Sequence, residues 1–226
     1  MKNYFSKLEI ILWVSSVSLI TGSFCIFDRG NYLTLLASLV GVTSLIFCAK
    51  GNPFGQLLMV LFSILYGIIS YSFSYYGEMI TYLGMSMPMA IIALISWLKN
   101  PYKNNKAEVK VNSISKKETL IMLLYTVAVT IIFYYILKYF NTANLIPSTL
   151  SVSTSFIAVY LTYKRSPLYA LAYACNDIVL IILWILASIY DIHYISVVVC
   201  FIAFLANDIY GYISWKKMKK RQSENQ

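Results

Sequence analysis

Charge is scarce in this sequence. Only 12% of its 226 residues are Asp, Glu, Lys or Arg, and 59% are hydrophobic, whereas soluble domains carry about 25% charged residues. The chain has a single histidine, His193, and its four cysteines show no C-x-x-C spacing, so we predict no metal site. It also lacks a phosphate-binding loop, a glycine-rich nucleotide fingerprint and a nucleophile elbow. These absences exclude an ordinary soluble enzyme, and we predict no catalytic residue and no cofactor.

The sequence instead consists largely of long apolar runs. Eight runs are long enough, or nearly so, to cross ~30 Å of hydrocarbon as helices. We therefore predict an all-α polytopic membrane protein with eight transmembrane helices. The predicted spans are residues 9–27, 32–49, 54–73, 78–98, 118–138, 144–162, 168–190 and 193–215.

The first apolar run has two interpretations. Its basic start and apolar stretch resemble a signal peptide. However, no small-x-small cleavage site follows the stretch, and Glu9 stands at its beginning. We therefore expect this segment to remain in the protein as a membrane helix.

The basic residues are distributed unevenly. If both termini lie on one side, 16 of the 18 lysines and arginines share that side, and only Arg29 and Lys138 fall opposite. Basic residues in short loops favour the cytoplasm, so we predict cytoplasmic termini in the cell (inner) membrane. Topology then explains the net charge of +9 without a nucleic-acid partner. We expect the polar linker from Lys99 to Lys117 to be a solvated face at the inner leaflet rather than a specific lipid site.

Two parts of the chain resemble each other. The segments "KGNPFGQ" and "KRSPLYA" each place a proline three residues after a lysine, and the two prolines are 114 positions apart. Ile-Ser-Trp occurs before a lysine at Trp97 and again at Trp215, 118 positions later. Spans 2–4 therefore match spans 6–8. Because spans 2 and 6 run in the same direction, we predict two parallel three-helix repeats with the substrate site between them, as in transporters.

This repeat predicts a 1+3+1+3 organisation. Residues 1–31 form an extra N-terminal helix, and residues 32–99 form the first three-helix repeat. A cytoplasmic loop and a linker helix follow in residues 100–143. Residues 144–218 form the second repeat, and residues 219–226 form a cytoplasmic tail. The linker helix is what allows two three-helix units to share one orientation.

The dipeptide Asn-Asp occurs twice within apolar runs, in "YACNDIVLIILW" and "FLANDIYGYISW", each time with a tryptophan seven residues after the aspartate. An aspartate at the centre of a membrane helix costs ~2.5–3.5 kcal/mol on insertion scales, and positions seven apart share one helix face. We predict that Asn176, Asp177 and Trp184 line a substrate site near the midplane. Asn207 and Asp208 are candidates for the same site, with a hydrogen bond to a neighbouring helix as the alternative for Asp208.

Other polar groups within the spans complete the predicted site. An indole face attracts cations, and this cation–π interaction contributes ~2 kcal/mol when it is desolvated. Amides can bind hydroxyl groups, and a carboxylate can neutralise a fixed positive charge. These groups suit a planar, hydrophilic ligand, and a cationic one in particular. A phosphorylated ligand would need a lysine or arginine at depth, and no span carries one at its middle. Trp97 and Trp215 are predicted to lie in the interfacial belt. The additional candidates are Gln56, Tyr66, Glu78, Tyr82, Tyr173 and Tyr210.

At these residues the chain resembles the PnuC family of vitamin transporters. Three segments carry the resemblance: "AKGNPFGQLLMVLFSILYGIISYSFSYYGEMITY" from Ala49, "PMAIIALISWLKNP" from Pro88, and "GYISWKKM" near the end. It covers about residues 35–218. Many members of the family carry Asn and Gln where this chain has Tyr82 and Ala90, so a related but different substrate is an alternative.

The resemblance implies several functional properties. It implies import of nicotinamide riboside by facilitated diffusion, with trapping by a cytoplasmic kinase, a fold similar to that of the SWEET and SemiSWEET transporters, and a homotrimer. Import of thiamine or riboflavin on the same fold remains open, as does proton coupling. A distant alternative is a membrane-embedded enzyme with Asp177 and Asp208 as an acid/base pair, but we find no nucleophile or metal partner for such a pair.

Overall fold

The computed structural model describes residues 4–72 and 76–224, and within these residues eight helical spans are long and apolar enough to cross a membrane. This confirms the predicted fold class. The helices are α1 (Lys7–Phe27), α2 (Tyr32–Ala49), α3 (Pro53–Ser72), α4 (Tyr76–Ile80), α5 (Met87–Lys99), α6 (Lys116–Tyr139), α7 (Leu145–Tyr163), α8 (Leu168–Ser188) and α9 (Ile195–Glu224), with a π-helical segment at Thr81–Ser86 and a short 3₁₀ turn at Ile192–Tyr194.

Six helices pack in a closed ring in the order α2, α3, α5, α7, α8, α9 and back to α2. Helix α1 lies outside the ring against α2 and α9, and α6 lies outside it against α7. Both ends of the described chain, together with the linker between α5 and α6, lie at one end of this bundle, which we call the terminal end. The opposite end is the distal end. The division into two parallel repeats stays a prediction, with which this packing is compatible.

The two outer helices begin in the same way. At α1 the Ser6 side chain accepts a hydrogen bond from the Glu9 amide, and the Glu9 carboxylate accepts one from the Ser6 amide. Ser115 and Glu118 form the same capping box at α6. Such a box satisfies amides that the first turn leaves unpaired. Each glutamate also binds the lysine that follows the last residue of the next helix: Glu9 binds Lys50 after α2 at 3.3 Å, and Glu118 binds Lys164 after α7 at 2.8 Å.

The fourth span, Tyr76–Lys99, is not a regular α-helix. Its π-helical segment lies directly before Met87, whose amide donates to the carbonyl of Tyr82 five residues earlier. Pro88 accounts for this widening, because a proline lacks the amide that an α-helix needs and its ring collides with the carbonyl four residues before it. Such π-helical insertions are frequent at functional sites. Here Thr81, Tyr82 and Ser86 of the insertion line a cavity at the distal end.

The polar linker is more ordered than the sequence suggested. Residues Pro101–Tyr102 (β1) and Asn105–Val109 (β2) form a hairpin, and its turn residues Lys103 and Asn104 both have positive φ, as a two-residue hairpin requires. Val109 is fully buried, and its amide donates to the carbonyl of Gly51 at 2.9 Å. The lysines of this segment, Lys103, Lys106 and Lys110, are exposed, so the expectation that its charges form a solvated face stays a prediction, although the backbone of the segment docks on the bundle. It docks because a buried amide and a valine side chain both find partners on the bundle.

The last part of the chain holds the linker in place. Helix α9 continues through residues 219–224, beyond the predicted end of its span at residue 215. The Gln222 side chain donates to the Val109 carbonyl at 3.0 Å and accepts from the Val111 amide at 2.8 Å. Arg221 forms an ion pair with Glu108. The described residues of the C-terminal segment thus pack on the linker hairpin instead of extending freely into solvent.

Candidate functional site

A cavity lined mainly by the helices of the ring opens at the distal end. Its volume is about 520 Å³, within the range of small-molecule sites. Gly30, Asp191 and His193 line its rim and are exposed, whereas Tyr66 and Val152 lie deeper in its wall and are buried. The cavity therefore connects the distal surface to the interior of the ring. We call it the distal cavity.

Hydroxyl groups dominate one wall of this cavity, and they are residues that the sequence prediction missed. Ser148, Ser151 and Ser155 of α7 line it, because spacings of three and four place them on one helix face. A Ser/Thr-rich stretch, "PSTLSVSTSF", carries this signal in the sequence. The π-helical segment lies across from them. The remaining hydroxyl-bearing residues of the lining, apart from the tyrosines, are Thr34, Ser70, Thr81 and Ser86.

Aromatic side chains form the apolar part of the cavity. Trp184 of α8 lines it and contacts Tyr194, with ring centroids 5.2 Å apart and ring planes tilted by 46°. The indole N–H of Trp184 has no hydrogen-bond partner among the described residues. Tyr66 and Tyr82 lie in contact with each other at 5.2 Å, and both also line the cavity. A buried indole donor without a partner is unusual. Because Trp184 lines the cavity, its indole is a candidate contact for a ligand.

The rim of the distal cavity is acidic. Asp28 and Asp191 lie there and Glu78 lies further in, against a single histidine, His193. His193 Nδ1 lies 2.6 Å from Asp191 Oδ1, and the backbone amide of His193, followed by its ring, holds the pKa of Asp191 below its ordinary value. Partial burial raises the pKa of Asp28, helped by the charge of Asp191 and opposed by His193. The described lining contains neither lysine nor arginine, so the cavity favours cations.

A smaller cavity of about 80 Å³ lies deeper in the ring. It shares wall residues with the distal cavity, namely Tyr82, Ser86, Ser155 and Leu180. We call it the deep cavity. The predicted candidates Gln56, Tyr173, Asn176, Asp177 and Asp208 all line it.

The two aspartates meet in this deep cavity. Asp177 on α8 and Asp208 on α9 both line this cavity, and both residues are at most 4% exposed. Two buried carboxyl groups at such close range disfavour each other's ionisation. The second oxygen of Asp177, Oδ2, is buried without a partner in the described chain. Beside the pair, the side-chain oxygen Oδ1 of Asn176 accepts hydrogen bonds from the hydroxyls of Thr154 and Ser155 of α7.

The predicted stripe of amide, carboxylate and indole is divided between the two cavities. Trp184 lies two turns from Asp177 on α8, as predicted, but Trp184 lines the distal cavity and Asp177 lines the deep one. Leu180 lies between them and touches both. A ligand reaching from the indole to the carboxyl pair would therefore pass Leu180.

Two candidates lie elsewhere. The Asn207 side chain points to α1 and donates to Ser16 at 2.9 Å, and the Tyr210 hydroxyl donates to Glu9 at 2.9 Å. Neither residue lines the distal or the deep cavity. Both belong to the contact between α9 and α1, because that outer helix covers the face of α9 that presents them. Their assignment to the substrate site is therefore not supported by their positions.

The prediction that Trp97 and Trp215 lie in the interfacial belt is wrong. Both are 0% exposed, so neither lies in an interfacial belt. The Trp97 indole donates to the Thr162 carbonyl of α7 at 2.9 Å, and the Trp215 indole donates to the Cys48 carbonyl of α2 at 2.8 Å. Tyr169 packs against both rings. This aromatic cluster closes the ring at the terminal end, beneath the deep cavity.

The neighbouring serines repeat the same pattern. Ser96 donates to the Tyr163 carbonyl and Ser214 donates to the Ala49 carbonyl, each at 2.8 Å. Each Ser-Trp pair thus binds the last two carbonyls of a helix in the other half of the chain. Since these indoles and carbonyls are buried, they satisfy each other where water cannot.

An eight-span bundle with a cavity open at one end and closed at the other is the architecture of a membrane transporter. A sequence model of the family described as "Nicotinamide mononucleotide transporter" matches residues 31–217. The chain belongs to this family, the PnuC family of transporters, whose members compared below are named as transporters and not as enzymes.

Individual relatives agree with the family match. The chain is 25% identical over 202 residues to the nicotinamide riboside transporter PnuC of Neisseria mucosa, covering 88% of this chain and 77% of the relative. It is 21% identical over 192 residues to that of Haemophilus influenzae, covering 84% and 82%. A crystal structure described as the vitamin B3 transporter PnuC superposes with a TM-score of 0.81 at 23% identity, covering 96% of this chain and 94% of that one. The last comparison shows that the fold is shared.

Proposed function

We propose that this protein imports nicotinamide riboside across the cell (inner) membrane. The observation that carries the proposal is the distal cavity, which combines an unpartnered indole, a hydroxyl-rich wall and an acidic rim. Nicotinamide riboside offers an aromatic cation for the indole and the carboxylates, and ribose hydroxyls for the serines. Two similar proteins named as nicotinamide riboside transporters support the same substrate.

The charge of the cavity favours the riboside over its phosphate. Three carboxyl groups, those of Asp28, Glu78 and Asp191, line the distal cavity, and its described lining has no lysine or arginine. A phosphate group entering this space would lose hydration and meet like charges. We therefore expect weak binding of nicotinamide mononucleotide, even though the family description names the mononucleotide.

Thiamine is the second candidate, and one observation favours it. Both positions at which the chain departs from the family pattern, Tyr82 and Ala90, line the deep cavity, and Tyr82 also lines the distal one. Replacing an amide by a phenol or a methyl group there alters which hydroxyls or amides a ligand can bind. Thiamine shares the fixed positive charge and the aromatic ring, while riboflavin lacks the charge.

The distribution of basic residues supports cytoplasmic termini. The distal cavity would then open to the outside, and the cluster of Trp97, Trp215 and Tyr169 would close the cytoplasmic side. Alternating access requires this cluster to separate, with loss of the four hydrogen bonds made by the two Ser-Trp pairs. We propose that transport itself is facilitated diffusion, made unidirectional by intracellular phosphorylation. The homotrimer expected for the family is part of the proposal, testable by light scattering of the purified protein.

The Asp177–Asp208 pair bears on the driving force. A carboxyl pair that holds one proton can release it when a substrate cation approaches. In facilitated diffusion this proton only modulates affinity. In proton-coupled transport it would cross the membrane with each cycle, so collapsing the proton gradient would change the extent of accumulation.

A binding panel on the purified protein tests the substrate. Nicotinamide riboside, nicotinamide mononucleotide, thiamine and riboflavin are titrated by calorimetry, and we expect the riboside to bind most tightly. Tighter binding of thiamine would move the assignment to the second candidate, and preferred binding of the mononucleotide would overturn the charge argument. Uptake into proteoliposomes, with and without a protonophore, then separates facilitated from proton-coupled transport.

A further inference from the structure

A groove at the terminal end has features that the transport pathway does not use. It lies between the end of α5 and the turn from α7 to α8, and its volume is about 550 Å³. We call it the α5–α7 groove. Its lining comes from α5, the linker, the start of α6 and the α7–α8 turn.

The groove carries an excess of positive charge. Lys99, Lys164 and Arg165 line it, and Glu118 is the single acidic residue of its described lining. Glu118 is bound to Lys164 at 2.8 Å. The Arg165 Nε is buried without a hydrogen-bond partner in the described chain. Among the residues that the structure describes, Lys99 and Arg165 therefore have no carboxylate partner, and the Arg165 Nε is also an unsatisfied buried donor.

The backbone beneath these cations is fixed. Arg165 has a positive φ of 57°, and the Asn112 amide donates to its carbonyl at 2.9 Å. The Asn112 side chain donates to the carbonyl of Lys164 at 3.2 Å. The linker thus holds the α7–α8 turn in place, and Lys164 and Arg165 are presented by an ordered turn.

An apolar wall adjoins the charged floor. Ile92 and Ile95 are 44% and 45% exposed, and they precede Lys99 by two turns and one turn of the same helix. In a membrane-spanning helix that ends at Lys99, these isoleucines lie at the depth of the acyl chains while the lysine lies at the headgroups. A basic floor next to an exposed apolar wall matches the chemistry of a phospholipid.

The other half of the chain provides a comparison. Lys217 follows Trp215 by two residues as Lys99 follows Trp97, and it lines a second groove with Lys50 and Arg221. There, Lys50 is paired with Glu9 and Arg221 with Glu108. The described lining of that groove contains no isoleucine, because α1 and the hairpin cover it. The unpaired charge and the apolar wall occur together at the α5–α7 groove.

We propose that the α5–α7 groove is a binding site for an anionic phospholipid of the leaflet at the terminal end. The headgroup phosphate accepts hydrogen bonds from Arg165 and Lys99, and an acyl chain lies along Ile92 and Ile95. The expectation of a merely solvated inner-leaflet face then fails at this one position. The proposal concerns the membrane and does not depend on which vitamin is carried.

The test measures lipid retention by the full-length protein. Wild type and the variants Arg165→Gln, Lys99→Gln and Lys217→Gln are purified in phosphatidylcholine nanodiscs, and phosphatidylglycerol binding is titrated by native mass spectrometry. We expect each of the first two substitutions to weaken phosphatidylglycerol binding roughly fivefold, as for loss of one basic residue near an anionic surface. Lys217→Gln should bind as wild type does, and Arg165→Lys should retain most of the affinity.

Three results would overturn the proposal. The first is equal phosphatidylglycerol binding by wild type and the Lys99→Gln/Arg165→Gln double variant, with melting temperatures that show both to be folded. The second is an equal loss in Lys217→Gln, which would indicate nonspecific surface charge. The third is displacement of the lipid by free glycerol phosphate at equal concentration, which would identify a site for soluble phosphates.

Discussion

Trp97 and Trp215 lie against each other at the terminal end, with ring centroids 5.3 Å apart. Each indole also donates to a carbonyl in the opposite half of the chain, Trp97 to Thr162 and Trp215 to Cys48. The two contacts are equivalent, because the donors are 118 positions apart and the acceptors 114, the same offsets as in the sequence repeat. The pair is therefore a reciprocal connection between the halves, at the place where the ring is closed.

Replacing Trp215 by Phe should loosen this closure. The substitution removes the indole donor from the buried Cys48 carbonyl, which keeps the Gly51 amide as a donor, so the expected cost is that of one hydrogen bond, about 0.5–1.5 kcal/mol. The thiol of Cys48 is itself buried, so we expect its labelling by a membrane-permeant maleimide to accelerate in a protein whose other cysteines are replaced. Trp13→Phe serves as the control, since Trp13 lies on the outer helix. Equal labelling in both variants would contradict the proposed role.

Trp184 is expected to stack on the substrate ring. Trp184→Ala should weaken substrate binding by ~1–3 kcal/mol, the range for stacking of bases on aromatic side chains, used here by analogy. Trp184→Phe should lose less because it keeps an aromatic face. Calorimetry measures both affinities, with Trp13→Ala as the matched control. An unchanged affinity in Trp184→Ala would show that the indole does not touch the ligand.

The Asp177–Asp208 pair should make binding of a cation depend on pH. Two buried carboxyl groups in one cavity disfavour each other's ionisation. A cation that binds beside them favours the release of a proton, so affinity should rise with pH. Asp177→Asn keeps the shape but removes the exchangeable charge, so its affinity should be lower and nearly independent of pH. Titration from acidic to neutral pH in both proteins is the measurement. If the variant retains the wild-type pH profile, the pair is a structural link between α8 and α9.

Asp28 should contribute a separate pH effect at the rim. Its pKa is raised above the ordinary 3.8, chiefly by burial, so the rim loses this negative charge on acidification earlier than a free aspartate would. Attraction of a cationic substrate then weakens as pH falls through that raised pKa. Stopped-flow association rates at low salt should fall on acidification in wild type and less so in Asp28→Asn. Asp191 should remain charged over the same range, because His193 holds its pKa low. Identical rate profiles in the two proteins would remove Asp28 from the entry path.

The orientation in the membrane can be tested with two variants that each carry a single cysteine. In a cysteine-free background, Lys220→Cys should react with an impermeant maleimide only after the cells are permeabilised. A cysteine replacing Arg29 at the distal end should react in intact cells. Efficient labelling of position 220 from outside would reverse the topology, and with it the direction in which the distal cavity opens.

The sequence alone determined the number of spans, since length and apolarity suffice to define a membrane helix. It also identified the Asn-Asp pairs and the Ser-Trp repeat as unusual, because buried polar groups need partners wherever they lie. Asp177 and Asp208 could be named as candidates for this reason.

Only the tertiary structure decided which groups meet. Lipid is as apolar as the helix interfaces, so hydrophobic periodicity does not show which face of a membrane helix is buried. For that reason Asn207 could face α1 while Asp208, one position later, faces Asp177. Trp97 and Trp215 could be buried donors although their neighbouring lysines suggested the interface. The hydroxyl wall of α7 became recognisable as part of a site once α8 and the π-helical segment were seen to enclose it.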